Sequence, residues 1–206
     1  MSRVFLVFSA ALVALMAGAL FYAARIPVQE AESVAVEAPS IQDTPVTLEV
    51  VDYPEFSLPD VEGVDRQFSE WEGKNRILNF WATWCGPCKR EIPVLKAFQD
   101  EQQSNGFQVI GIAVDFPEEV ALYAESAEFN YPILVGEQDA MEIAESSGIE
   151  FVGLPFTMFV ASDGEYLNAY IGELHQEHLD KIVDIMSRLD RSEISKDEAK
   201  SQLGFL

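Results

Sequence analysis

Two cysteines occur in the 206 residues, and they stand three apart as Cys85-Gly86-Pro87-Cys88. A cysteine reacts as its thiolate, so what matters is whatever lowers a thiol's pKa and brings a second sulfur within reach. The apolar run Arg76–Thr83 (RILNFWAT) reads as a buried strand. From Pro87 to about Ser104, Ile92, Leu95 and Phe98 recur at helical spacing. Cys85 is therefore expected at a helix N-terminus, where unpaired backbone amides and the helix dipole favour a thiolate. Cys88 falls one turn further in, close enough for the two sulfurs to bond. Pro87 fits a first helical turn, because the N–H it lacks has no helical partner there. The predicted chemistry is thiol–disulfide exchange, in which Cys85 attacks a substrate disulfide and Cys88 resolves the mixed disulfide. A purely structural bridge over so short a loop would remove little chain entropy. A structural zinc site needs about four ligands, and no second cysteine pair exists. His175 and His178 could add two ligands, but they sit three apart on a late amphipathic segment. No metal or other cofactor is expected.

These groups need a scaffold. Residues 54–75 alternate short apolar stretches with turn signals, and Asp60-Val61-Glu62-Gly63 predicts a hairpin turn. Phe107–Asp115 (FQVIGIAVD) reads as a second buried strand. Pro117–Phe129 reads as a helix that starts on a proline with Glu118 and Glu119 in its first turn. Tyr131–Val135 predicts a short strand, and Asp139–Ser147 a short helix ending at Gly148. Phe156–Ala161 and Glu165–Ile171 flank Ser162-Asp163-Gly164, a hairpin signature. His175 to about Leu189 is amphipathic, with Leu179, Ile182, Val183 and Met186 on one face. The tail from Arg191 is charged and reads as a loose helix. Strand–helix–strand early and hairpin–helix late imply an α/β domain, a mixed central sheet with helices on both faces.

Composition narrows the role. The formal net charge is −22, and beyond Arg25 it is −24. Such a surface repels phosphate backbones, which excludes nucleic acid as a partner. Residues 4–24 form an uncharged apolar run of 21 residues, about 30 Å as a helix, the thickness of a bilayer core. Residues 1–25 are thus read as an uncleaved membrane anchor. Ala17-Gly18-Ala19 and Tyr22-Ala23-Ala24 keep a cleavable signal peptide open as the other reading. Residues 26–50 hold three prolines and no basic residue, and read as an extended acidic tether. The expected division is anchor 1–25, tether 26–50, domain 51–190 and charged tail 191–206.

The segment FWATWCGPCKREIP resembles the active site of the thioredoxin superfamily, and most of all its exported, membrane-tethered branch typified by TlpA, ResA and CcmG. The likeness covers roughly residues 54–188. It implies a thioredoxin-like fold with an N-terminal strand extension and a strand–helix insertion near residues 131–148. Glu91 and Pro93 after the second cysteine fit that branch. The resemblance puts Pro155 at the position of the family's cis-proline, with the backbone of Leu154 offered to an extended substrate. Leu154 is bulkier than the residue expected there. Asn79 stands where cytosolic relatives place a buried acid, which leaves Glu91 as the candidate proton carrier. Complementing the helix dipole is the alternative role for Glu91.

The resemblance also implies a setting. Cys85, Cys88 and Glu91 would be catalytic, and Trp84, Gly86, Pro87, Leu154 and Pro155 would meet substrate. The expected activity is a protein-disulfide reductase. It would be a single-pass protein of the bacterial inner membrane with its domain in the periplasm, and a monomer. Electrons would come from a membrane thiol-transfer protein, and apocytochrome c cysteines would be the substrate. A metallochaperone-like copper-site assembly factor on the same fold is the alternative, with His175 and His178 as its available histidines. A binding module with incidental thiols is a third reading. A peroxidase would need a further cysteine in the N-terminal half, and none is present.

Overall fold

A computed structural model describes residues 55–146, 148 and 152–206. The anchor, the tether and the first four residues of the expected domain lie outside the described residues. Among the described residues no helix is long and apolar enough to cross a membrane.

The chain opens with an antiparallel hairpin, β1 (Ser57–Pro59) and β2 (Asp65–Gln67). Asp60 makes the turn between them, since its carboxylate accepts the Glu62 and Val64 amides. The five-stranded sheet comprises β3 (Asn75–Trp81), β4 (Phe107–Val114), β5 (Ile133–Gly136), β6 (Phe156–Val160) and β7 (Tyr166–Ile171). Its order is β5-β4-β3-β6-β7. β3, β4 and β5 run parallel, while β6 and β7 are antiparallel to their neighbours. An isolated bridge between Asp60 and Leu134 lays the first hairpin against β5.

Alternation divides the core. Ile77 and Trp81 of β3 face one side, while Leu78 and Phe80 face the other. The first side is covered by α1 (Gly86–Gln102), α2 (Pro117–Ala127) and α4 (Gln176–Asp190). The second is covered by α3 (Gln138–Glu145), by a 3-10 turn at Phe68–Trp71 and by Leu58 of β1. Helices on both faces of a mixed sheet are what the sequence predicts. Gly111 of β4 lets the first face close. A Cβ there would lie 2.6 Å from Ile133 Cδ1 and 3.2 Å from the Trp81 indole nitrogen.

The tail departs from expectation. Lys196–Leu203 forms the expected helix, α5, but it is not loose. It packs on β7 and α4, and it buries Ile194, Ala199 and Leu203 in the main core. Ser195 caps it by accepting the Glu198 amide. Lys196 and Lys200 both pair with the buried Glu165 carboxylate, and Lys196 also pairs with Asp163. The compact domain therefore continues past residue 190 to the end of the chain.

Candidate active site

The site stands at the end of the sheet where β3 and β4 finish and β6 begins. Trp81 ends β3, and Ala82-Thr83-Trp84 carries the chain across to α1. Asp115, just past β4, fixes that crossing. One of its carboxylate oxygens accepts both the Thr83 amide at 2.8 Å and the Thr83 hydroxyl at 2.6 Å. Cys85 is the N-cap of α1, with extended backbone angles (φ −84°, ψ 106°). Its Sγ accepts the Cys88 amide at 3.3 Å. The two cysteines form a disulfide with their Cα atoms 5.3 Å apart.

The two sulfurs have different surroundings. Cys88 is fully buried, and Cys85 keeps a sliver of exposure at the rim. Exposed Gly86 and half-buried Pro87 separate them. Trp84 stands beside Cys85 with 69% of its surface in solvent, while Trp81 is buried against Tyr123 and Phe129. The Leu154–Pro155 peptide bond is cis. Phe156 pairs with Phe80 across the sheet, which sets buried Pro155 at the same end as the disulfide. Leu154 is half-buried between the two core clusters.

Beneath the cysteines lies a polar cluster inside the apolar core. Glu91, one turn beyond Cys88 on α1, is fully buried. One of its carboxylate oxygens accepts Asn79 Nδ2 at 2.8 Å, and the other accepts the Leu174 amide at 2.7 Å. Asn79 Nδ2 also donates to the Thr157 hydroxyl at 3.0 Å. Asn79 and Thr157 face each other as direct partners on β3 and β6. Burial pushes the Glu91 carboxyl up to about 7, and nearby Glu173 adds to this, against the lowering effect of its two donors. Glu91 can therefore gain and lose a proton near neutrality. Glu91 is buried and lies past the first turn of α1, where a carboxylate gains little from the helix dipole.

The two cations after the thiols go separate ways. Lys89 is exposed, and Arg90 pairs with Glu173 through its Nε and Nη2. Arg90 and Glu91, adjacent on α1, thus grip Glu173 and Leu174, adjacent in the loop between β7 and α4. His175 is the N-cap of α4, and its amide donates to His178 Nδ1 at 3.1 Å. Tyr170 lies against the His178 ring at 4.9 Å. Among the described residues no group of three or more His, Cys, Asp or Glu is placed to hold a metal ion.

Every sequence-predicted site residue lies at this end of the sheet or just beneath it. Sequence reasoning missed Thr157, the Leu174 amide and Asp115. Asp115 had a faint signal, as a polar residue closing an apolar strand. Thr157 had none short of the β3–β6 pairing itself.

A family model for AhpC/TSA matches residues 51–170. The chain belongs to the AhpC/TSA family. Within this family its relatives share thiol chemistry. The thiol-disulfide oxidoreductase ResA of Geobacillus thermodenitrificans is 31% identical over 134 residues, covering 63% of this chain and 75% of that protein. ResA of Geobacillus kaustophilus is 30% identical over 129 residues, 62% of this chain and 72% of that protein. Among solved structures, a thioredoxin-family thiol:disulfide interchange protein from Chlorobium tepidum superposes with a TM-score of 0.60 at 28% identity, covering 66% of this chain and 95% of the other. The fold is thioredoxin-like, and this AhpC/TSA-family chain is a thiol–disulfide oxidoreductase of the ResA type.

Proposed function

We propose that this oxidoreductase reduces protein disulfides outside the cytoplasm. In this reading residues 4–24 anchor it as a monomer in the bacterial inner membrane, with its domain in the periplasm. A membrane thiol-transfer protein re-reduces it, and its substrates are the haem-attachment cysteines of apocytochrome c. The reducing direction rests on Gly86-Pro87 between the cysteines, which resembles the reducing type of the fold more than its strong oxidants. The observation that carries the exchange itself is the unlike setting of the two sulfurs. Cys85 sits at the rim on a helix N-terminus, and Cys88 is buried above a carboxyl that titrates near neutrality.

The steps follow from that setting. In the reduced enzyme, helix amides and dipole favour a Cys85 thiolate. The thiolate attacks one sulfur of the substrate disulfide, forming a mixed disulfide and releasing the other substrate sulfur as a thiolate. Trp84, Gly86, Pro87, Leu154 and Pro155 line the approach, and the Leu154 backbone binds the extended substrate by strand addition. Cys88 then gives its proton to the Glu91 carboxylate and attacks Cys85 Sγ. The Cys85–Cys88 bond forms, the Cys85–substrate bond breaks, and the second substrate sulfur leaves as a thiolate. Two electrons pass from the enzyme pair to the substrate, and water or Glu91 reprotonates the released sulfurs.

Two measurements test this. Cys88→Ala expressed in cells should accumulate mixed disulfides through Cys85, and mass spectrometry should find apocytochrome c among them. Equilibration with glutathione should give a potential nearer thioredoxin's roughly −270 mV than the roughly −120 mV of a strong oxidant. A value at the oxidising end would sink the reductant reading.

A further inference from the structure

Glu91 presents a problem that its two hydrogen bonds do not solve. A carboxylate accepts only, while a carboxylic acid must donate its own proton. Both observed partners are donors to the anion. Glu91, Asn79 and Thr157 are all fully buried, so an unserved O–H or an unserved lone pair there is costly. A group meant to cycle its proton needs neighbours that serve both forms.

The backbone amide of Leu174 cannot reverse. The proton of the neutral acid must therefore lie on the oxygen that faces Asn79. Of the two groups hydrogen-bonded to the Glu91 carboxylate among the described residues, Asn79 is the one that can donate or accept, because rotating its amide exchanges Nδ2 for Oδ1. Its Oδ1 accepts from no donor among the described residues, although it is fully buried. Thr157 is equally two-way, since its hydroxyl accepts from Asn79 Nδ2 as found and can rotate to donate to Oδ1 instead.

We infer that Asn79 and Thr157 form a reversible cradle for Glu91. With the anion, Asn79 Nδ2 donates to the carboxylate and to the Thr157 oxygen. With the acid, the Asn79 amide turns over, and its Oδ1 accepts from the Glu91 O–H and the Thr157 O–H. Its Nδ2 then takes the position that Oδ1 holds with the anion, so that one end of the Asn79 amide is unserved in either form. Both are positioning residues, and neither touches the reacting sulfurs. The inference rests on the proton role proposed for Glu91. Other charges around the carboxyl are few. Glu173 adds negative potential from the loop but is paired with Arg90. Cys88 shares the helix, His175 follows Leu174, and Tyr131, just before β5, is held neutral by burial.

The test is a pH titration of the full-length oxidised protein, following the Asn79 side-chain amide by 15N–1H NMR. The signal is identified by its loss in Asn79→Leu. It should shift with a midpoint near that of Glu91, about 7, and should be flat in Glu91→Gln. Thr157→Val should move that midpoint by several tenths of a pH unit or more, whereas Thr157→Ser, which keeps the hydroxyl, should leave it in place. An Asn79 signal unchanged between pH 5 and 9, or Val and Ser variants indistinguishable from wild type, would overturn the cradle. The pH profile of Cys85 alkylation in the reduced protein reads the proton role separately. If that profile is the same in wild type and Glu91→Gln while the Asn79 signal still titrates, the proton role falls and the cradle stands.

Discussion

Replacing Glu91 by glutamine should make the oxidised protein gain stability relative to wild type as the pH rises. The carboxyl has an ordinary value of 4.5 in the unfolded chain and about 7 in the folded one. Between those values the folded state binds more protons than the unfolded state, so wild-type stability falls with rising pH across that window. Below 4.5 the acid is neutral in both states and imposes no charge penalty. Above 7 the buried anion carries all of it, about 3 kcal/mol. Glutamine is close to isosteric and never ionises. From pH 5 to pH 8 the variant-minus-wild-type stability should therefore rise by about 2.5 kcal/mol. The disulfide keeps the cysteines from titrating, and every other ionisable group is common to both proteins. Urea unfolding at half-unit pH steps measures the difference directly. A difference that is flat with pH, or that falls as pH rises, would show that burial does not control this carboxyl.

Other outcomes follow from the same coordinates. Asp115→Ala removes both bonds to Thr83 and should cost about 1–3 kcal/mol in urea unfolding; it should also slow disulfide reduction, because the loop carrying Cys85 loses its tie. Leu203→Ala, at the buried end of α5, should cost about 2–4 kcal/mol by the same assay, an effect that a loose tail would not show. The Lys196 and Lys200 pairs hold the Glu165 carboxyl below its usual range, so their contribution is present above pH 4.5 and lost as acid titrates it. Glu165→Gln should therefore destabilise the protein at pH 7 and have progressively less effect below pH 4.5. Cys85→Ser should abolish alkylation by iodoacetamide in the native reduced protein, because Cys88 is fully buried.

The chemistry of the site was legible where it is local. Cys85-Gly86-Pro87-Cys88 after a buried strand announces a helix-capped redox pair, and the Asp60–Gly63 and Ser162–Gly164 turns announce their hairpins. The support of Glu91 was not legible in the same way. Thr157 lies on another strand, joined to Asn79 by a bond across 78 positions, and Leu174 reaches Glu91 across 83. Only the β3–β6 pairing and the return of the chain after β7 bring them together. Asn79 could be singled out as the residue replacing an expected acid, but what it does instead depends on that pairing. The tail was legible as a helix but not as a packed one, because it shows few apolar residues. Ser195 followed three places later by Glu198 was a usable capping signal. The binding of α5, however, depends on buried Glu165, whose neighbours in sequence give no sign of it.

The hairpin laid against β5 and the helix laid on β7 have a consequence for the company this enzyme keeps. A protein that acts on the disulfides of other proteins meets other polypeptide chains, and any extended segment of theirs can pair with a free sheet edge. An open sheet margin would bind them by backbone pairing wherever they touched it, and would bind further copies of the enzyme as readily. Here the Asp60–Leu134 bridge occupies one margin, and α5 packs against the strand at the other. A net charge of −22 adds repulsion between copies. Both margins of the sheet thus carry an element of this chain's own, which disfavours backbone pairing there.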